Sequence, residues 1–332
     1  MARAQVRRAG RRRARSARRP RRPAGPADLV KLGPGARWLI SLVLLAGLAL
    51  WLDPARIAAE VGALDPGWLI FALLVSLAQT ALSAWRWRFT AHRLGLDLAP
   101  GRALADYYLA GFINQVLPGG VVGDAWRAQR HARRSGQTGV AWRAVILERA
   151  SGQLVVVALA ALVVTLYPPW REGFAPALLT AGLGLALIGV FGALVARRLR
   201  DRAGWIAQIG PDLRRALLAR RAWPVQLASS IAIVVSYLLV FAAGARGIGV
   251  ELPLVQLMMM ALPALLAMLV PVSVAGWGLR EGAAGAVWLI SGLPPEQGVA
   301  VSITYGVLVL LASLPGVLVL LAPSSGQAHV DQ

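Results

Sequence analysis

The chain has 332 residues, is 57% hydrophobic and carries a formal net charge of +20. Its mean hydropathy is +0.61, more apolar than ordinary soluble domains, and apolar runs near the ~20 residues that cross a bilayer recur along it. The lack of cysteine excludes disulfides and thiolate metal sites, and His92, His131 and His329 are scattered without ligand spacing, so no metal and no cofactor is expected.

In a soluble protein such a charge would point to nucleic acid. Here the arginines sit between apolar runs, which assigns them to cytoplasmic loops and anionic lipid head groups instead. No nucleic-acid partner is expected.

Residues 1–36 are dominated by arginine, alanine and proline. No apolar core follows within the basic stretch, so this is not a signal peptide. It reads as a disordered cytoplasmic tail. A transmembrane domain is expected over 37–322, and 323–332 form a short C-terminal tail.

Six runs read as spans: roughly Trp38–Leu52, Gly67–Trp85, Glu148–Tyr167, Ala175–Val195, Val225–Ala243 and Val299–Leu321. Trp85-Arg86-Trp87-Arg88 closes the second in the manner of a cytoplasmic helix end. The tail and segments 86–93, 127–143 and 197–221 are rich in arginine. The links 53–66, 168–173 and 244–252 hold one arginine each. That alternation places the N-terminus in the cytoplasm of a multi-pass cell-membrane protein.

Two apolar stretches, Ala103–Val116 and Pro253–Val270, do not fit as clean spans. The first leads into GFINQVLPGGVVGDAWRAQR (111–130), the second into PVSVAGWGLREGAAGAVWLISG (271–292). Pro118, Gly123 and Arg127 recur at the same offsets as Pro271, Gly276 and Arg280. Each stretch is therefore expected to be one arm of a re-entrant hairpin, with a full span as the alternative for Pro253–Val270. Three spans and one hairpin then make up each half, about 37–167 and 174–322. An odd number of spans inverts the second half against the first. The expected fold is all-α and polytopic, about six spans plus two re-entrant hairpins in inverted repeats, with broken helices at matching places.

A broken helix leaves backbone groups that lipid cannot satisfy, so it must be buried in protein or line a wet cavity. Gly119, Gly120 and Gly123 let N–H groups converge on an anion. A helix starting near Asp124 adds its positive end, and Arg127 a fork of donors suited to phosphate. Gly276, Gly278 and Gly282 flank Arg280 and Glu281 in the same way. Plainer readings stand beside these. Pro-Gly-Gly also makes a tight turn, and Asp124 with Arg127 at i and i+3 also makes a solvated surface pair. Glu148 and Arg149 suit an interface as well as a buried site, and Asn114 suits a helix-end cap as well as a ligand contact. Arg280 and Glu281 fall within an apolar stretch, where unpaired charge is costly. No nucleophile–base set or carboxylate cluster points to an enzyme.

The stretches NQVLPGGVVGDAWRAQR (114–130), ERASG (148–152) and PVSVAGWGLREGA (271–283) resemble the lysylphosphatidylglycerol synthase transmembrane-region family over about residues 37–322. That family includes stand-alone membrane proteins and the flippase half of the bacterial multiple peptide resistance factor. The resemblance implies movement of a charged-head-group lipid between leaflets. It implies head-group binding by Asn114, Pro118, Gly119, Gly123, Asp124, Arg127, Glu148, Arg149, Gly276, Gly278, Arg280 and Glu281. The second break departs from the pattern, reading Ser273-Val274-Ala275 before its glycines. The chain ends at Gln332 without the aminoacyl-transferase domain of the resistance factor, so it is not expected to make aminoacylated lipid. The expected function is translocation of an anionic or zwitterionic phospholipid or a polyprenyl-phosphate lipid. The alternative is a non-transporting partner that recruits or regulates a lipid or glycan synthase.

Overall fold

A computed structural model describes residues 64–117, 120–166, 207–269 and 275–321. The expected tails, the expected spans Trp38–Leu52 and Ala175–Val195, and Pro118, Gly119 and Pro271 lie outside these residues. Every regular element among the described residues is helical. In chain order they are α1 (Pro66–Arg93), α2 (Pro100–Val116), α3 (Val122–Ser135), α4 (Thr138–Leu166) and α5 (Ile209–Leu213). A π-helical turn, Arg214–Leu218, follows. Then come α6 (Trp223–Gly247), α7 (Leu254–Ala267), α8 (Leu279–Ile290), α9 (Pro295–Ser313) and α10 (Pro315–Leu321).

The helix starts carry ordinary capping chemistry. Asp65 Oδ1 accepts the N–H of Gly67 at 2.8 Å and of Trp68 at 3.1 Å, and Pro66 opens α1 where no N–H is needed. Pro100 and Pro295 open α2 and α9 in the same way. Gly136, with φ 69°, ends α3 in the left-handed conformation that glycine adopts without strain.

Four helices are long and apolar enough to cross a membrane: α1, α4, α6 and the continuous Pro295–Leu321 formed by α9 and α10. They match four of the six expected spans. One boundary moves: the third span was expected to start near Glu148, but α4 begins at Thr138, so Glu148 lies well inside a helix. Large apolar side chains point outward along these helices, among them Leu74, Leu154, Leu166, Leu227 and Leu318. Such exposure would be a liability in water, whereas hydrocarbon accepts it.

Inside, α6 is the hub, touching α1, α4, α7 and α9. Phe241 on α6 packs against Trp288 of α8 and Tyr305 of α9, with ring centroids 6.3 and 5.6 Å apart. Leu257, Met260 and Leu308 close the same core.

The two expected breaks are present. α2 and α3 pack on each other across residues 117–121, and α7 and α8 pack across 268–278. At 1.5 Å per residue, α7 and α8 are about 21 and 18 Å long, short of the ~30 Å hydrocarbon core. Gly316 at the start of α10 meets α2 closely enough that an added Cβ would collide with the Tyr108 carbonyl. Gly316→Val is therefore expected to cost about 1–3 kcal/mol, read as a lower melting temperature in detergent. An unchanged melting temperature would show that α2 and α10 do not pack this way.

Candidate functional site

Six polar or charged side chains meet beside the first break. α1 supplies Arg86, α2 supplies Asn114, α3 supplies Asp124 and Arg127, and α4 supplies Glu148 and Arg149. The backbones can meet because Gly123 lies directly against the Ala110 carbonyl, where a side chain would collide. Glu148, fully buried, accepts from Arg86 Nη2 at 2.6 Å and from Arg127 Nη2 at 2.6 Å. Tyr107 donates to it more weakly at 3.4 Å. Asp124 accepts from Arg127 Nε at 2.9 Å, from Asn114 Nδ2 at 3.0 Å and from Arg149 Nη2. Arg86 also donates to Ser230 of α6 at 2.8 Å.

The Arg127 guanidinium is fully buried between Trp87 and Tyr107, 4.7 and 4.6 Å from the ring centroids. Planar cation–aromatic stacking of this kind suits arginine and not lysine. Three guanidiniums face two carboxylates here, so one positive charge is in excess. Arg86 Nε, Arg127 Nη1 and Arg149 Nε are buried without a hydrogen-bond partner. Leaving such donors unsatisfied costs roughly 1–3 kcal/mol each, more when they are charged. Arg149 is the open member, with its side chain 37% exposed. Beside the break, Val121 and Val122 are exposed apolar surface.

The second break is built differently. Ala275, Gly276 and Gly278 all have positive φ, at 49°, 83° and 86°, and the non-glycine member is strained there. Arg280 is fully buried and pairs with Glu281 Oε1 at 2.6 Å. Ser302 Oγ accepts from Arg280 Nε at 3.0 Å. Trp277 and Tyr305 rings lie 4.4 and 5.4 Å from the guanidinium. Gly306 leaves the room it occupies, since a Cβ there would collide with Arg280 Nη2. Nη1 is buried without a partner. This cluster is balanced, one cation against one anion.

The structure thus brings together Asn114, Gly123, Asp124, Arg127, Glu148 and Arg149 at one break, and Gly276, Gly278, Arg280 and Glu281 at the other. It removes the solvated-pair reading of Asp124 and Arg127 and the interfacial reading of Glu148, because all three are buried. It also corrects the glycine chemistry. The Gly123 N–H donates to Asn114 Oδ1 at 2.8 Å, and the Gly278 N–H donates to Glu281 Oε2 at 2.5 Å. Those amides serve the chain's own side chains, and the unused buried side-chain donors at the two breaks are arginine nitrogens together with Trp87 Nε1 and the Tyr305 hydroxyl.

Sequence reasoning missed Arg86, assigned to a cytoplasmic helix end yet only 3% exposed. It also missed Trp87, Tyr107, Trp277 and Ser302. A signal for Arg86 existed. Ser76, Ser83, Arg86 and Thr90 recur at seven, three and four residues, which is one helix face, and all four are buried.

A hollow of ≈ 540 Å³ opens elsewhere, lined in part by His92, Asp97, Arg102, His131 and Arg134. Arg134 is already paired with Asp106 at 2.9 Å, and none of the buried cluster forms its wall. Among the described residues no group of histidines and carboxylates could hold a metal ion.

Long apolar helices with outward-facing leucines and inward-facing ion pairs define a helical integral membrane protein. The profile of the family described as Lysylphosphatidylglycerol synthase TM region matches residues 38–316, and the chain belongs to that family. Among curated proteins and solved structures no significant match is found.

If the first cluster is desolvated as described, Glu148→Ala strands two buried guanidiniums and is expected to destabilise the protein by about 3–5 kcal/mol. Arg130→Ala removes the partly exposed partner of a buried Asp106 that keeps Arg134 at 2.9 Å, and should cost only about 1 kcal/mol. Denaturant unfolding in detergent compares the two, and equal losses would mean that the Glu148 cluster is wet.

Proposed function

We propose that this protein translocates a lipid with a charged head group between the leaflets of the cell membrane, without being an enzyme. The observation that carries the reading is the buried cluster beside the first break: three guanidiniums, two carboxylates and three unused guanidinium N–H groups. Charge set so deep in an apolar bundle is the usual mark of a substrate path in membrane proteins. Guanidinium N–H groups with no acceptor match the acceptor-only oxygens of a phosphate.

In this reading α2–α3 and α7–α8 are re-entrant hairpins entering from opposite leaflets, in inverted halves about 37–167 and 174–322. The shortness of α7 and α8 and the strained turn before α8 support it. The N-terminus is cytoplasmic, and 1–36 serve as a basic tail on that leaflet. Arg127 and Arg149 hold the head group, and Asn114, Asp124 and Glu148 position and compensate them. Arg280 and Glu281, with Gly276 and Gly278 shaping their turn, form the matching gate. Pro118 and Gly119, outside the described residues, stay among the proposed head-group residues. Membership in a family named for the membrane region of a lipid synthase supports a lipid cargo.

The test is lipid movement in proteoliposomes, followed by quenching of a head-group-labelled phospholipid in the outer leaflet. Wild-type protein is expected to move lipid. Arg127→Gln should slow it about tenfold or more, as loss of a charge-assisted hydrogen bond worth about 1.5–3 kcal/mol implies. Arg280→Ala should slow it as well. A correctly folded wild type that moves no lipid but co-purifies with a lipid or glycan synthase would replace transport with the recruiting role.

A further inference from the structure

Resting on the translocation reading above, we infer that the head group taken at the first break is a phosphate diester with one negative charge and no cationic substituent. The inference follows from charge balance. The cluster holds one guanidinium more than it holds carboxylates. A singly charged phosphate brings it to neutrality. In a weakly screened interior that match matters far more than it would in water.

Other head groups fit worse for stated reasons. A zwitterionic lipid carries its own cation and leaves the excess in place. A cationic aminoacylated lipid adds an ammonium beside Arg149, and no carboxylate is free to receive it. Asp124 already accepts from Asn114, Arg127 and Arg149, and Glu148 from Arg86, Arg127 and Tyr107. The neighbouring Asp106 is taken by Arg130 and Arg134. A phosphate monoester, at roughly −1.5 to −2 near neutral pH, overshoots the single excess charge.

The hydrogen-bonding inventory agrees. The cluster's unused buried polar atoms are Arg86 Nε, Arg127 Nη1, Arg149 Nε and the adjoining Trp87 Nε1, donors without exception. They call for acceptor oxygens and have nothing to offer an ammonium donor. Arg149 stands at the accessible side, and Val121 and Val122, 55% and 40% exposed, give acyl chains an apolar lip beside the break. The second break adds no net charge to this count, because Arg280 is matched by Glu281.

The test uses the full chain in phosphatidylcholine nanodiscs. These are doped equally with phosphatidylglycerol, phosphatidylethanolamine, lysyl-phosphatidylglycerol or a polyprenyl monophosphate. Lipid retained on the protein is read by native mass spectrometry, and movement of each lipid is read in proteoliposomes. Phosphatidylglycerol is expected to be retained about tenfold or more over each of the others, a difference of about 1.4 kcal/mol. Arg149→Gln, which removes the excess charge at a half-exposed position, should erase that preference. Equal or better retention of the zwitterionic, cationic or monoester lipid overturns the inference, and continued lipid movement in that case leaves translocation standing. An unchanged preference in the folded Arg149→Gln protein also overturns it. Displacement of bound lipid by an equal concentration of soluble glycerophosphoglycerol would assign the site to a free phosphate ester and overturn the lipid source. If no lipid is retained or moved, both the translocation reading and this inference fail.

Discussion

Two carboxylates, Glu148 and Asp124, hold the guanidiniums of Arg86 and Arg127 away from bulk water and tie down the more open Arg149, and the first half of the described bundle is arranged around that constraint. Desolvating an ion costs several kcal/mol even after relaxation, so each charge here requires a partner at hydrogen-bond distance. Arg86 ties α1 to α4 through Glu148, and Arg127 ties α3 to the same carboxylate. Gly123 permits the approach of α3 to α2 on which the geometry depends. Trp87 and Tyr107 occupy the faces of Arg127 where water would otherwise stand. The polar interior is thus a set of mutual dependences, most open to the outside at Arg149.

The second break solves the same problem locally. Glu281 receives the Gly278 amide and the adjacent Arg280, so one carboxylate both caps α8 and neutralises the buried cation. Nothing distant is needed except Ser302 and the two rings. The two breaks share a spacing of proline, glycine and arginine yet differ in electrostatics, one carrying an excess charge and the other balanced. Family membership places the chain among membrane domains, whereas the difference in charge between the two breaks is a property of this chain's own side chains.

Much was legible in the sequence because hydrocarbon imposes simple rules. Length, apolarity and arginine placement are enough to mark α1, α4, α6 and the last span, since a lipid-exposed helix must be apolar over about 20 residues. The break positions were legible for a related reason. Proline and glycine stop a helix through local backbone sterics, with no help from distant residues. Arg280 and Glu281 were visible as charge inside an apolar stretch, whereas Asn114, Asp124 and Glu148 read equally well as a cap, a surface pair and an interfacial residue.

Pairing was not legible, because it depends on which helix faces meet. Arg86 read as an interfacial arginine from its Trp-Arg-Trp-Arg context, and only the packing of α1 against α4 and α6 turned it inward onto Glu148 and Ser230. Gly123 read as a donor to an anion and Gly278 as a head-group contact through the family resemblance, and the fold gave their amides to Asn114 and Glu281. The sequence alone determined that this is a helical membrane protein with two interrupted helices, because insertion and helix breaking are local, short-range events. The tertiary structure decided which cation meets which carboxylate, and hence the single excess charge, because that count depends on contacts between residues as many as 62 positions apart.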